Sequence, residues 1–211
     1  MVFTSRATAG RHLAQKLQDE GAEPDLVLGL PRGGVVVAAE VACTLRKPLD
    51  VLIVRKLGHP LNREFAVGAL AEPDVVILDN TSLRRFPATQ REMEAIIAEE
   101  TERLQQYRAR FHQDAPSNLI NRDVLLVDDG IATGATTEAA VLSARKQGAR
   151  QVIVAAPVAS ANAVERLTRC ADRVVALRVD PYFGAVGQYY AQFPQTSDEE
   201  VLALLHFKKA A

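Results

Sequence analysis

Four short, unbroken apolar runs punctuate the chain, at Leu26 to Leu30, Val124 to Val127, Val152 to Ala156 and Val174 to Leu177. Each has the length of a strand. A strand with no polar alternation is buried on both faces, as in a parallel sheet covered by helices. The spacing between the runs agrees, because a helix is predicted over Val35 to Leu45 after the first, over Thr137 to Gln147 after the second and over Ala161 to Leu167 after the third. Ahead of them, Ala9, Leu13 and Leu17 mark one face of a helix from Ser5 to Glu20, with Gly21 as its stop. Further strands are predicted at Val51 to Val54, Val67 to Leu70 and Val75 to Leu78. Between the first two lies the polar segment LGHPLNREF, residues 57 to 65, expected to be a loop outside the core.

Residues 88 to 113 have a different pattern. Met93, Ile96, Ile97, Leu104, Tyr107 and Phe111 are spread among many charges, which predicts one long amphipathic helix inside an insertion of about 80–118. Its apolar positions suggest a homodimer surface. Near the end, Ser197 and Glu200 stand at capping-box spacing, so a terminal helix is expected there. With 211 residues, 48% of them hydrophobic, the whole chain fits one α/β domain.

Charge narrows the partners. Lys plus Arg number 25 and Asp plus Glu 26, so the overall field does not draw in nucleic acid, and any anion site must be built locally. No apolar run approaches the length of a membrane span, and no basic segment leads into an apolar stretch at the N-terminus. Cys43 and Cys170 lack metal-ligand spacing and are expected to be buried, reduced thiols of a cytoplasmic protein.

The chemistry concentrates in VLLVDDGIATGATTEAA, residues 124 to 140, where a buried strand ends in two carboxylates and a glycine-containing turn enters a helix. Helix N-terminal N–H groups favour an anion, and Gly130 and Gly134 let the backbone approach one. Thr133, Thr136 and Thr137 add hydroxyl donors. Asp128 and Asp129 would repel a phosphate; they suit vicinal sugar hydroxyls or a hydrated Mg²⁺ ion. Together these groups describe a ribose 5-phosphate site. An ordinary strand-turn-helix with two exposed acids, or a metal-dependent phosphohydrolase pair, would use the same residues, although the second leaves the glycine turn without a purpose. GxGxxG, GxxxxGK and GxSxG are all absent.

VLLVDDGIATGAT resembles the phosphoribosyl pyrophosphate signature of type I phosphoribosyltransferases at every defined position. That resemblance implies a mainly parallel five-stranded α/β core with a small C-terminal hood at about 178–211. It implies that Asp128 and Asp129 bind the ribose hydroxyls, and Mg²⁺ through water. Gly130, Ala132, Thr133, Gly134, Ala135 and Thr136 would then wrap the 5-phosphate. The turn GLPRGG resembles the family's pyrophosphate loop, with Arg32, Gly33 and Gly34 at the leaving diphosphate and a cis peptide between Arg32 and Gly33. Lys56, at the entry to the loop 57–65, resembles the lysine leading into the lid of orotate-type relatives. RVDPYFGAVGQYY resembles the hood of purine-type relatives, with Tyr182 and Phe183 as acceptor contacts. The activity implied is transfer of a 5-phosphoribosyl group to an unidentified nitrogen acceptor, a nucleobase being one candidate. The alternative is a sensor that binds phosphoribosyl pyrophosphate without catalysis.

Overall fold

The computed structural model describes residues 2–112 and 116–209. Its elements follow the order α1 (Arg6–Asp19), β1 (Leu26–Gly29), α2 (Gly33–Leu45), β2 (Leu49–Val51), β3 (Val54–His59), β4 (Asn62–Ala71), β5 (Val75–Leu78), α3 (Asn80–Arg85), α4 (Gln90–Phe111), β6 (Asp123–Val127), α5 (Ala135–Lys146), β7 (Gln151–Ser160), α6 (Ala161–Leu167), β8 (Arg173–Asp180) and α7 (Asp198–Lys209). A short 3-10 turn over Val186–Tyr189 precedes α7. Five strands form one sheet in the order β2-β1-β6-β7-β8, and every neighbouring pair in it is parallel.

The unbroken apolar runs are explained by the two faces of this sheet. Along β6, Leu125 and Val127 join the cluster built with α1, α2 and α7, including Leu13, Val35 and Val201. Val124 and Leu126 point the other way, into the cluster with Ala140 and Val141 of α5 and Leu167 of α6. Alternate side chains leave opposite faces, so a strand covered on both sides must be apolar at each position.

The segment between β2 and β6 departs from expectation. The predicted strand 51–54 is split, because β2 ends at Val51 in the parallel sheet and β3 begins at Val54 in a second, three-stranded antiparallel sheet ordered β3-β4-β5. The excursion from the parallel sheet therefore begins well before residue 80. The polar segment 57–65 is a hairpin and not a loop: Leu57 pairs with Gly68 and His59 with Asn62. Leu57 and His59 are buried within it. Strand pairing is a backbone property, and polar side chains on the open face do not oppose it.

The long helix forms as predicted, with a capping box in which Thr89 and Glu92 exchange bonds. Its apolar residues are not an open surface, since Met93, Ile96, Leu104 and Phe111 are buried in this chain's own core. They thus give no support to a dimer. Leu104 is 1% exposed, so Leu104→Ala is expected to cost about 2–5 kcal/mol by loss of burial and the cavity left behind. Urea unfolding checks this; a loss below about 0.5 kcal/mol would fit a helix lying on the surface. Cys43 is exposed and Cys170 half-buried, contrary to the expectation that both are core thiols. No helix among the described residues is long and apolar enough to cross a membrane.

Candidate functional site

At the C-terminal edge of the sheet, β6 stops at Val127 and hands the chain to Asp128 and Asp129. The Asp129 N–H donates to Asp128 Oδ1 at 2.8 Å, and the Asp129 carbonyl accepts from the Tyr190 hydroxyl at 2.5 Å. The loop that follows is anchored at Ile131: the Ile131 N–H donates to the Val158 carbonyl, and the Ser160 N–H to that of Ile131, both at 2.9 Å. Ser160 Oγ also donates to the Ala132 carbonyl at 2.6 Å. Held on one side by β7, the loop leaves Ala132 and Thr133 exposed before the chain turns into α5.

Gly134 makes the turn. Its φ of 76° lies in the left-handed region, and it is the N-cap of α5. Gly134 gives α5 no side-chain cap, the Ala135 N–H donates to Thr133 Oγ1 at 3.4 Å, and half-buried Thr136 lies in the same first turn, a helix N-terminus suited to an anion. Thr137 does not belong to this surface: it is 1% exposed, and its Oγ1 is buried without a hydrogen-bond partner.

The turn from β1 to α2 meets the same two acids. An ideal Cβ on Gly33 would fall 2.0 Å from Asp129 Oδ2, and one on Gly34 would fall 2.9 Å from both Asp128 Oδ1 and the Asp128 Cα. Only glycine lets these strand ends approach so closely. The cis peptide of this turn joins Pro31 and Arg32, one bond earlier than the resemblance implied.

Electrostatics separates the two carboxyls. Burial, and then the neighbouring Asp129 charge, push the Asp128 carboxyl well above the ordinary range. Burial also raises Asp129, but there Arg6 opposes it, donating from Nε to Asp129 Oδ2 at 2.6 Å. Tyr190 is raised as well, by burial and then by the Asp129 charge. Arg6 also donates from Nη1 to the Pro194 carbonyl at 2.7 Å and lies over the Phe193 ring, 3.7 Å from its centroid. Phe193 in turn stacks on Tyr190. Sequence reasoning missed Arg6, Tyr190 and Phe193. For Arg6 a signal existed: a cation in the first turn of a helix opposes the helix dipole and needs an anionic partner elsewhere.

The expected pyrophosphate residues divide. Arg32, the N-cap of α2, is paired with Asp198 of α7 at 3.6 Å, and Asp198 also takes Arg110 at 3.0 Å. With Arg6 and Gly33, Arg32 lines an open cavity of about 290 Å³ that Phe193 and Pro194 also border. Lys56 is exposed on β3 and borders a different cavity, of about 380 Å³, between β3 and α4. A smaller pocket of about 100 Å³, lined by Arg32 and Arg55, lies between them. Of the expected acceptor contacts, Tyr182 is 92% exposed, while Phe183 stacks on Tyr189 with centroids 5.1 Å apart. Asp180 caps their turn, accepting from the Tyr182 N–H at 2.9 Å. His59 Nε2 lies 3.2 Å from the Phe86 carbonyl, within hydrogen-bond distance. No cluster of three or more acidic, histidine or cysteine side chains fit to hold a metal occurs among the described residues.

Known proteins resemble this chain along nearly its whole length. The "Putative phosphoribosyl transferase Rv0571c" of Mycobacterium tuberculosis H37Rv is 45% identical over 205 residues, which is 97% of this chain and 46% of the relative. A counterpart from strain CDC 1551 matches equally. The chain thus spans about half the length of these curated relatives. The crystal structure of TT1426 from Thermus thermophilus superposes with a TM-score of 0.82 at 47% identity, covering 99% of each chain. A Neisseria gonorrhoeae hypothetical protein with bound ppGpp shares the fold alone, at 13% identity and a TM-score of 0.53 over 98% of this chain and 96% of that one. A family model, the phosphoribosyl transferase domain, matches residues 4–193, and this chain belongs to that family.

Proposed function

We propose that the chain transfers the 5-phosphoribosyl group of phosphoribosyl pyrophosphate to a nitrogen acceptor and releases pyrophosphate. The observation that carries this reading is the meeting of two turns at one pair of acids, with Gly33 and Gly34 packed against Asp129 and Asp128 at the entrance to α5. In it, the amides from Gly130 through Ala132, Thr133, Gly134, Ala135 and Thr136 receive the 5-phosphate. Asp128 and Asp129 accept from the ribose hydroxyls, and Arg32, Gly33 and Gly34 face the diphosphate. Lys56 would reach the diphosphate only from the neighbouring cavity on β3. The acceptor would approach from the C-terminal segment that carries Tyr182 and Phe183.

As the bond from C1 to the diphosphate oxygen breaks, its electron pair leaves with the diphosphate, and the acceptor nitrogen bonds to C1. The sugar gains positive character and the leaving group negative charge, so holding both ends in place contributes more than a strong base. Mg²⁺ would supply charge neutralisation on the leaving oxygens. Asp128 and Asp129 would hold it through water, and two carboxylates completed by substrate phosphates are a donor set that suits this ion. Burial raises both carboxyls, Asp128 the more, and hydroxyl donors from a diol would stabilise their ionised forms.

The test is release of labelled pyrophosphate from phosphoribosyl pyrophosphate with Mg²⁺, against a panel of purines and pyrimidines. Acceptor-dependent release supports transfer. Binding without release by any acceptor would identify a sensor instead, and absence of binding would defeat both readings. Thr133→Val is expected to weaken ribose 5-phosphate binding roughly fivefold in calorimetry, the worth of about one hydrogen bond. An unchanged affinity would remove Thr133 from the phosphate loop.

A further inference from the structure

The cavity beside the Arg32–Gly33 turn is bordered on its far side by Phe193, Pro194 and Thr196, and its charged lining consists of Arg6 and Arg32 with no carboxylate. Arg6 reaches it from the first turn of α1, an element that supplies nothing to the sequence motifs. Its side chain is 9% exposed and is fixed by the Asp129 ion pair, the bond to the Pro194 carbonyl and the Phe193 ring. A Cβ on Gly33 would lie 2.7 Å from Arg6 Nε, so the guanidinium rests against the turn assigned to the diphosphate.

We infer that Arg6 is a further binding residue for the donor's diphosphate, opposite Arg32 across this cavity, besides serving as counter-ion to Asp129. The inference rests on the proposed reading of the site. An arginine carries five N–H donors in a planar fork, and the two bonds described engage Nε and Nη1. The same fork matches phosphate oxygens in pairs. Because the ring of Phe193 and the Pro194 carbonyl hold the group in position beforehand, little reorganisation is needed as negative charge gathers on the leaving diphosphate. A purely structural Arg6 would act through Asp129 alone, and its loss would be felt at the ribose.

These two roles separate in calorimetric titrations with two probes, inorganic pyrophosphate and ribose 5-phosphate, at fixed Mg²⁺. In Arg6→Gln, pyrophosphate affinity is expected to fall about tenfold to a hundredfold, the range of a lost charge-assisted contact, while ribose 5-phosphate affinity falls clearly less, through the lost counter-ion of Asp129 alone. Arg6→Lys keeps the charge without the fork and should fall between wild type and Arg6→Gln for pyrophosphate; it decides the matter alone if the glutamine variant does not fold. Equal losses for both probes, a loss confined to ribose 5-phosphate, or a wild type that binds ribose 5-phosphate but not pyrophosphate would overturn the inference. A wild type that does not bind ribose 5-phosphate would instead overturn the reading of the site on which it rests.

Discussion

Asp128→Asn is expected to melt higher than the wild type at neutral pH, and Asp129→Asn lower. The two residues are adjacent, yet their surroundings differ in one charge. Asp129 has the Arg6 guanidinium at 2.6 Å, so an amide there removes a mostly buried charge-assisted bond and leaves a cation without its anion, at a cost of about 2 kcal/mol. Asp128 has no such partner, and burial with the Asp129 charge pushes its carboxyl well up. Asparagine retains an acceptor for the Asp129 N–H while removing that repulsion, a gain on the order of 1 kcal/mol or roughly 2–4 °C.

The sign with pH follows. A carboxyl whose folded pKa is raised binds its proton more tightly in the folded state. Its contribution to stability is therefore full below the unfolded value, about 4, and is lost as pH rises through the raised value. The advantage of Asp128→Asn should accordingly vanish in acid and grow toward neutrality. Both variants should bind ribose 5-phosphate more weakly. Melting curves from pH 4 to 8 check the first part; parallel shifts for the two variants would contradict the assigned environments.

Gly33→Ala is the second change with a large expected effect. The added methyl carbon would lie 2.0 Å from Asp129 Oδ2 and 2.7 Å from Arg6 Nε, distances that no contact tolerates. Either the carboxylate rotates away with its arginine or the turn retreats from the sheet edge, at about 1–3 kcal/mol. Both outcomes damage ribose and diphosphate contacts together. Affinity for ribose 5-phosphate and for pyrophosphate should each fall about tenfold or more, unlike Arg6→Gln, which separates them. Calorimetry showing wild-type affinity for both probes would mean that this turn stands outside the site.

What the chain made legible was set by how local the cause is. The parallel sheet could be read because burial on both faces forces continuous apolar runs such as Val124 to Val127. The loop from Gly130 to Thr136 could be read because a left-handed N-cap at Gly134 and hydroxyl neighbours leave a local signature. The β3–β4 hairpin could not, since its pairing is made by backbone groups and LGHPLNREF carries no alternation to betray it. Nor could the burial of the α4 apolar stripe in the chain's own core be distinguished from an exposed dimer face by periodicity. Arg6 and Phe193 stand at opposite ends of the sequence and meet only through the fold. Pairings across such distances leave no spacing to recognise.

The most direct measurement is the electron density of crystals soaked with ribose 5-phosphate. The expected result is the phosphate over the amides of Ala132 to Thr136 and the sugar hydroxyls within hydrogen-bond distance of Asp128 and Asp129. Density for the sugar phosphate elsewhere on the chain, or a loop left empty at a concentration that saturates binding in solution, would contradict it.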